Sequence, residues 1–173
     1  PNTLSYGSAG NGTTPHLAGE LLKQATGITA THAPYRGVAP AIQDLLGGQI
    51  DFAFGPATVF PMVQTGKLKV LAVASRKRAA VAPDVRTFSE AGIDGVFADS
   101  LFGVYAPAAA RTEVVERLNR ELNKALARPD VRSRFLEAGA EAVPLRPAEY
   151  AAMVQEEKRL FTAVVQRLGL KAD

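Results

Sequence analysis

Cysteine and tryptophan are both absent from this chain of 173 residues, and positive charge exceeds negative charge by only three. The absence of cysteine excludes disulfides, zinc–thiolate sites and thiol catalysis. No run of eighteen apolar residues occurs, so the sequence predicts no membrane-spanning helix. With 47% hydrophobic and 21% charged residues, the composition is typical of a globular protein.

Basic residues are scattered, and the only tight cluster is Arg76-Lys77-Arg78. Nucleic-acid-binding surfaces combine clustered basic side chains with a recognisable motif or with aromatic side chains that stack on bases. No aromatic residue interleaves with this cluster. We therefore expect a solvated loop there, and no nucleic-acid partner.

The most informative segment is the glycine-rich run at residues 7–16, which reads GSAGNGTTPH. It follows a short strand pattern at residues 4–7 and precedes an amphipathic helix pattern at residues 15–26. Its glycines allow a tight turn and a close approach of backbone to ligand. Thr14 as N-cap followed by Pro15 is typical of a helix start. Free N–H groups and small hydroxyls at the positive end of a helix favour an anion, so the segment predicts a site for a small acidic molecule.

This segment matches no nucleotide-binding motif. Its spacing, G-x-x-G-x-G, is neither the dinucleotide fingerprint nor a Walker A loop, and no Lys-Ser or Lys-Thr follows it. It approaches the hydrolase pattern G-x-S-x-G around Ser8, but Tyr6 stands where the first glycine belongs. A glycine-rich connection without a ligand stays open as an alternative, because loops of this composition are common.

Strand and helix patterns alternate up to residue 106, which predicts an α/β fold with a mostly parallel sheet and helices on both faces. We expect at least four strands. Besides the first, they are predicted at residues 28–33, 50–54, 67–75 and 102–106. Helices are predicted at residues 39–46 and 58–64, with a short one opened by the capping box Thr87-Phe88-Ser89-Glu90.

Beyond Pro107 the pattern becomes mainly helical. An amphipathic helix capped by Thr112 is predicted to run to about residue 127, and two more are predicted at residues 129–138 and 147–168, with at most one edge strand at residues 142–145. Their apolar stripes need a surface to cover, since exposed apolar patches usually find a partner. We expect the segment to fold back on its own lobe or to form a homodimer through residues 107–173.

Seven ordered segments along almost the whole chain resemble one family. They are residues 4–13, 16–21, 34–41, 44–51, 66–73, 83–92 and 102–107, and they include Pro34-Tyr35-Arg36-Gly37 and Leu45-Leu46-Gly47-Gly48-Gln49-Ile50-Asp51. In these segments the chain resembles the periplasmic solute-binding receptors of the tripartite tricarboxylate transporters, the Bug family.

The resemblance implies one lobe of a type II periplasmic binding protein, a two-lobed receptor that closes on a small carboxylate and delivers it to membrane permease subunits. Residues 1–104 correspond to the second ligand-binding lobe, and residues 105–173 to the crossover and helical return to the first lobe. The N-terminal part of the first lobe, with its own binding loop, is expected to be absent, since the chain opens at Pro1 just before its first strand. The implied location is the periplasm, and neither a cofactor nor a metal is implied.

The resemblance also implies the binding residues. It places Ser8, Asn11, Gly12, Thr13, Thr14 and His16 beside the ligand cleft. Backbone N–H groups near Gly12–Thr14 and the Thr13 hydroxyl would take a carboxylate. His16 is expected either to support the site as a donor or to lie on the helix surface without a role, and Tyr35 either to line the mouth or to pack a loop.

A further binding loop is implied at Gly55, Pro56, Ala57 and Thr58. Many members of the family have Asp-Asn or Asp-Ser at the start of this loop, where the chain has Gly55-Pro56. The change removes a carboxylate that would pair with a ligand ammonium. It therefore favours a di- or tricarboxylate over an amino acid.

Three other classes stay open at this point. A hydrolytic enzyme has little chemistry to use, because His16 and His32 have no thiol partner, and His16 with Glu20 supplies two metal ligands without an evident third. An effector-binding domain of a transcription regulator would share the architecture and need a DNA-binding segment upstream. A domain that binds only other proteins would show no carboxylate affinity.

Overall fold

A computed structural model describes residues 4–169 of the chain. The strands are β1 (Leu4–Ser8), β2 (Ala30–Pro34) and β3 (Phe52–Ala53). The helices are α1 (Thr14–Thr26), α2 (Val38–Leu46), α3 (Phe60–Gln64), α4 (Thr112–Ala127), α5 (Pro129–Glu137) and α6 (Pro147–Leu168), with single 3-10 turns at Ala57–Val59 and Ser89–Ala91. The predicted α/β class is confirmed.

The three strands form a parallel sheet in the order β2-β1-β3. β1 is central: Ser8 lies opposite Pro34 of β2, and Gly7 lies opposite Ala53 of β3. In a parallel sheet the carboxyl ends of all strands meet at one edge. The chain passes from β1 to one neighbour and then to the other, so the strand order reverses at the carboxyl end of β1.

Helices α1 and α2 cover opposite faces of this sheet. Successive strand residues point to opposite faces, and the fully buried Tyr6 packs on Gly19 of α1, whereas Gly7 faces Ala41 of α2 and Ile50. Gly19 leaves the space that the Tyr6 ring occupies. The prediction of helices on both faces is confirmed.

An apolar core packs against α1 at Leu17 and Leu21. It joins Leu17 and Leu21 of α1 to Phe88, Val96 and, from the end of α6, Val164. Burying each such side chain is worth about 1.5–3 kcal/mol. These contacts fix α1, and with it the loop that precedes the helix.

The prediction of at least four strands is wrong, because the described residues contain three. Residues 67–75, predicted as a central strand, hold only an isolated parallel bridge between Val73 and Thr87. The backbone N–H of Ala98 donates to the carbonyl of Ala74, and no continuous ladder follows. The apolar run has the side-chain pattern of a strand but lacks the row of backbone partners that makes one.

Residues 102–106 and 142–145 are also not strands in the part of the chain that the structure describes. Phe102 is 88% exposed, and Val104 is 72% exposed. The local pattern predicted a strand at residues 102–106, but no neighbouring strand pairs with this segment among residues 4–169. Pairing is a long-range property, and the local pattern carried no information about it.

The predicted helices agree closely with the observed ones, apart from the starts of α1 and α4. Thr112, predicted as the cap of α4, is its first helical residue, and Arg111 is the N-cap. In α1, Thr13, not Thr14, is the N-cap residue, and Thr14 and Pro15 are the first two helical residues. Both threonines suit a cap, and proline is accepted at either of the first positions, so the sequence left the start uncertain by one residue. The capping box is confirmed: Thr87 N–H donates to Glu90 Oε2 at 2.9 Å, and Glu90 N–H donates to Thr87 Oγ1 at 3.1 Å.

The chain divides into two compact units. The first contains the described residues up to Ser100 together with those from Phe161 onward, and the second contains residues 101–160. In the second unit, the side-chain amides of Asn119 and Asn123 both donate to the carbonyl of Leu145. The predicted lobe boundary at residue 104 stays a prediction. Within residues 4–169 every helix is too short or too polar to cross a bilayer.

Candidate functional site

The three loops that leave β1, β2 and β3 meet at the carboxyl edge of the sheet. Tyr35 N–H, just after β2, donates to the Ser8 carbonyl at 3.1 Å, and Gly37 N–H donates to the Ala9 carbonyl at 3.2 Å. Ligands of open α/β sheets bind at this edge, where the strand order reverses. The edge therefore brings the predicted site residues of the first unit into one region.

Residues 9–13, which we call the glycine loop, connect β1 to α1. Gly10 has φ +131° and Gly12 has φ +72°, conformations that side chains rarely adopt. The Thr13 hydroxyl donates to the Gly10 carbonyl at 2.7 Å, and the Gly10 N–H donates to Ser8 Oγ at 3.1 Å. The loop is thus closed by its own hydrogen bonds, and the Thr13 proton is used within it.

Some backbone N–H groups of the glycine loop and of the first turn of α1 donate hydrogen bonds within the protein, and others have no acceptor there. Gly12 N–H donates to His16 Nδ1 at 3.0 Å, and Thr13 N–H points to the Gly10 carbonyl at 3.4 Å. The N–H groups of Asn11, Thr14 and His16 have no acceptor among residues 4–169. No acidic side chain lies in the first turn of α1, so the positive end of the helix is uncompensated. This arrangement suits an anion.

Two histidines stack beneath the glycine loop. The rings of His16 and His32 are nearly parallel, at 7°, with centroids 3.9 Å apart, and Tyr6 stacks on the other side of His32 at 4.9 Å. His32 Nε2 lies 2.6 Å from Ser8 Oγ. His16 is only 4% exposed, so the expectation of a surface histidine is wrong: α1 turns that side chain toward the sheet.

Burial controls the protonation of this cluster. Burial lowers the pKa of His16, although the carboxylate of Glu20 opposes it, and burial together with the neighbouring His16 lowers the pKa of His32 to about 4. For Glu20, burial alone would raise the pKa, but hydrogen bonds from Lys23 and Tyr6 outweigh it and hold the pKa below its usual range. Both imidazoles are therefore neutral at pH 7.

Tyr35 lies next to the glycine loop, but its hydroxyl is engaged. It donates to Asp44 Oδ2 at 2.7 Å, which raises the pKa of the Tyr35 hydroxyl. The ring also packs against Gly7. The structure thus shows Tyr35 packing the loop that follows β2.

The loop after β3 holds the remaining predicted residues. Gly55 and Pro56 are exposed, and Ala57 and Thr58 form the 3-10 turn that leads into α3. Gly55 faces side chains of α2 such as Ile42. Because β3 is adjacent to β1, this loop leaves the same sheet edge as the glycine loop.

Sequence reasoning missed the position of His32 under the glycine loop and noted only that this histidine has no thiol or metal-spaced partner. The register of the sheet supplies the missing information, since Tyr6 of β1 lies opposite His32 of β2. Strand register was not predictable from composition. The two predicted strands, with a histidine on the second one, were the features of the sequence that could have indicated this contact.

The Ser8 hydroxyl, which lies beside His32 Nε2, is shielded from solvent, since Ser8 is 1% exposed. In the described part of the chain, no three of His, Asp and Glu come together in a way that could hold a metal ion.

A comparison with known families finds one match along almost the whole sequence. The model of the tripartite tricarboxylate transporter family receptor, TctC, matches residues 1–170. The chain belongs to this family. Among curated proteins, the chain is similar to a UPF0065 protein of the gbd 5′ region of Cupriavidus necator, with 34% identity over 98% of this chain and 52% of that protein's length.

Two solved structures of similar proteins carry carboxylates. An R. palustris protein with adipate has a TM-score of 0.83 and 32% identity, over 96% of this chain and 56% of its own. MatC from Rhodopseudomonas palustris with bound malate has a TM-score of 0.74 and 32% identity, over 91% of this chain and 55% of its own. The chain spans about half the length of the relatives it matches.

Proposed function

We propose that this receptor captures a small dicarboxylate, with one carboxylate held at the glycine loop and the N-terminus of α1. The observation that carries the proposal is the set of free N–H groups there, at Asn11, Thr14 and His16, above a helix end without an acidic side chain. Charge-assisted hydrogen bonds of this kind contribute roughly 1.5–3 kcal/mol each before ordering costs. The structures of similar proteins with adipate and with malate support the ligand class.

The loop after β3 supports a plain carboxylate over an amino acid. At Gly55 and Pro56 the chain offers no acidic side chain to pair with a ligand ammonium. In our proposal Ser8, Gly12, Thr13 and Tyr35 shape the site from within, since their polar groups already serve hydrogen bonds inside the protein. The hydrogen-bond donors toward the ligand are then backbone N–H groups. Such donors recognise the negative charge and the shape of a carboxylate and discriminate little between the remaining parts of different ligands.

The test deletes one backbone donor and keeps the helix. Thr14 is the first residue of α1, where proline is accepted, and the preceding Thr13 has φ −73° and ψ 157°, which proline tolerates in the residue before it. Thr14→Pro therefore removes one N–H without breaking α1. We expect malate and adipate to bind at least fivefold more weakly, as measured by calorimetry or by amide shift titration.

A matched control is available at α4. Thr112 is the first residue of that helix, and the preceding Arg111 is also extended, with φ −63° and ψ 140°. Thr112→Pro makes the same chemical change in the second unit, in a helix to which we assign no ligand contact, and should leave the carboxylate affinity unchanged. Equal affinities for Thr14→Pro and the unmodified protein would overturn the proposed site.

We further propose that the receptor works in the periplasm and hands its carboxylate to permease subunits of a tripartite tricarboxylate transporter. The family membership supports this role. Uptake of labelled malate in bacteria that carry the receptor and its transporter, with and without Thr14→Pro, tests it. Uptake that does not depend on the receptor gene would contradict this part of the proposal.

Association of two copies through residues 107–173 remains a separate proposal. Helix α4 exposes Val114, Leu118 and Leu122, which are 42%, 48% and 37% exposed. Each Å² of apolar surface removed from water contributes about 25 cal/mol. Light scattering should show a dimer that Leu118→Glu converts to a monomer, and a monomeric parent protein at every concentration would contradict it.

A further inference from the structure

The glycine loop rests on the histidine pair at two points. The Gly12 N–H donates to His16 Nδ1 at 3.0 Å. Ser8 Oγ, which accepts the Gly10 N–H, lies 2.6 Å from His32 Nε2. His16 therefore holds Gly12 directly, and His32 holds Gly10 through the Ser8 hydroxyl.

The bond from Gly12 is possible in only one protonation state. A neutral imidazole has one acceptor nitrogen, whereas an imidazolium has none. His16 Nδ1 accepts a hydrogen bond, so its proton must be on Nε2. A proton added at Nδ1 would face the Gly12 N–H and break the contact.

The stack limits the pair to one positive charge. With ring centroids 3.9 Å apart, two imidazolium ions would repel strongly in a partly buried site. The groups around His16 are Glu20 and Lys23 on its own helix, His32 on β2 and Tyr6 on β1. Glu20 is shared between the Lys23 ammonium and the Tyr6 hydroxyl, each at 2.8 Å, so it compensates a charge on His16 only in part.

We propose that His16 and His32 are positioning residues that form a proton-sensitive clamp: protonation of His16 releases Gly12 and disorders the carboxylate-binding loop. The inference deepens the proposed function and rests on it for the consequence for ligand affinity. The clamp itself is a property of the protein without ligand. The depressed pKa values of both histidines agree with it, since the surroundings resist the charge that would open the clamp.

The test follows the Gly12 amide in the ligand-free protein by ¹H–¹⁵N NMR from pH 8 to pH 4.5, in the parent protein and in His16→Asn. Asparagine places a carbonyl oxygen near the position of Nδ1 and does not titrate. We expect the Gly12 resonance to shift or broaden as pH falls in the parent protein and to stay nearly constant in His16→Asn. An equal response in both would overturn the clamp.

A second measurement needs no variant. Imidazole ¹⁵N shifts at pH 8 should show an unprotonated Nδ1 on His16, and a protonated Nδ1 would overturn the proposal even if His16→Asn failed to fold. The affinity for malate should fall between pH 8 and pH 5, and the factor by which it falls should be about fivefold larger in the parent protein than in His16→Asn. Protonation of malate itself affects both proteins equally, so it cancels in this comparison. If neither protein binds malate at any pH while Gly12 still responds, the proposed function fails and the clamp stands.

Discussion

Gly19→Ala is expected to destabilise the protein, although alanine is the better helix former. Gly19 lies inside α1, where replacement of glycine by alanine ordinarily stabilises by about 1 kcal/mol. Here a Cβ atom at Gly19 would lie 2.5 Å from Cζ and 2.8 Å from Cδ2 of Tyr6. Real Cβ atoms do not approach other carbons so closely, so either the ring or the helix must move.

The Tyr6 ring has little freedom to move. It is fully buried, its hydroxyl donates to Glu20 at 2.8 Å, and it stacks on His32 and on Phe52. Overpacking of a closed core costs typically 1–3 kcal/mol, and these restraints favour the upper end. After the propensity gain is subtracted, we expect a net loss of about 2 kcal/mol, or about 4–8 °C in Tm for a chain of this size.

The assay is urea unfolding followed by far-ultraviolet circular dichroism, since the chain contains no tryptophan. Ala25→Gly, at an exposed position of the same helix, calibrates the propensity difference and should cost about 1 kcal/mol. Tyr6→Leu removes the ring, so in that background Gly19→Ala should cost much less. A Gly19→Ala protein as stable as its parent would refute the packing argument.

Three further outcomes follow from the same structure. The free energy of unfolding should fall by about 1–2 kcal/mol, after allowance for solvent screening, as the pH drops from 7 to 4.5. The reason is that His16 and His32 take up protons readily in the unfolded chain, whereas burial lowers their pKa in the folded chain. Urea midpoints that do not change with pH would contradict this. Thr87→Ala should cost about 1–2 kcal/mol in the same assay through loss of the buried cap to Glu90. Gly103→Ala should change stability by only about 0.5 kcal/mol, because Gly103 is exposed and its Cβ would meet only the far end of the Tyr150 side chain, which can move aside at the cost of its solvent-exposed hydrogen bond to the Tyr105 hydroxyl.

Local chemistry was readable from the sequence wherever neighbours in the chain decide it. The capping box at Thr87 and Glu90 formed as expected, and α4 ends at the predicted residue, Ala127, although Thr112, predicted as its cap, is its first helical residue. Both depend on short-range side-chain geometry and helix periodicity. The start of α1 was off by one residue because two adjacent threonines compete for the cap.

Long-range pairing was not readable. The apolar run at residues 67–75 satisfies the side-chain pattern of a central strand, yet only Val73 makes a bridge. Residues 102–106 have no paired neighbour among the described residues, so they are extended chain without a sheet. A pattern reports which face a side chain would bury, and the partner strand decides whether the strand exists.

The candidate site likewise combines features set by neighbouring residues, which the sequence predicted, with features set by long-range contacts, which it did not. The glycine loop and the positive end of α1 were predicted as an anion receptor, and the free N–H groups of Asn11 and Thr14 fit that expectation. The sequence could not show that Gly12 and Thr13 spend their donors inside the protein, because His16 becomes an acceptor only after α1 turns it onto His32. A backbone loop binds an anion well only when it is held in shape beforehand, since ordering it on binding would cost part of the affinity. In our proposal the buried polar stack under the loop supplies that order, which gives a reason for polar side chains between α1 and the sheet, where apolar ones would pack at lower cost.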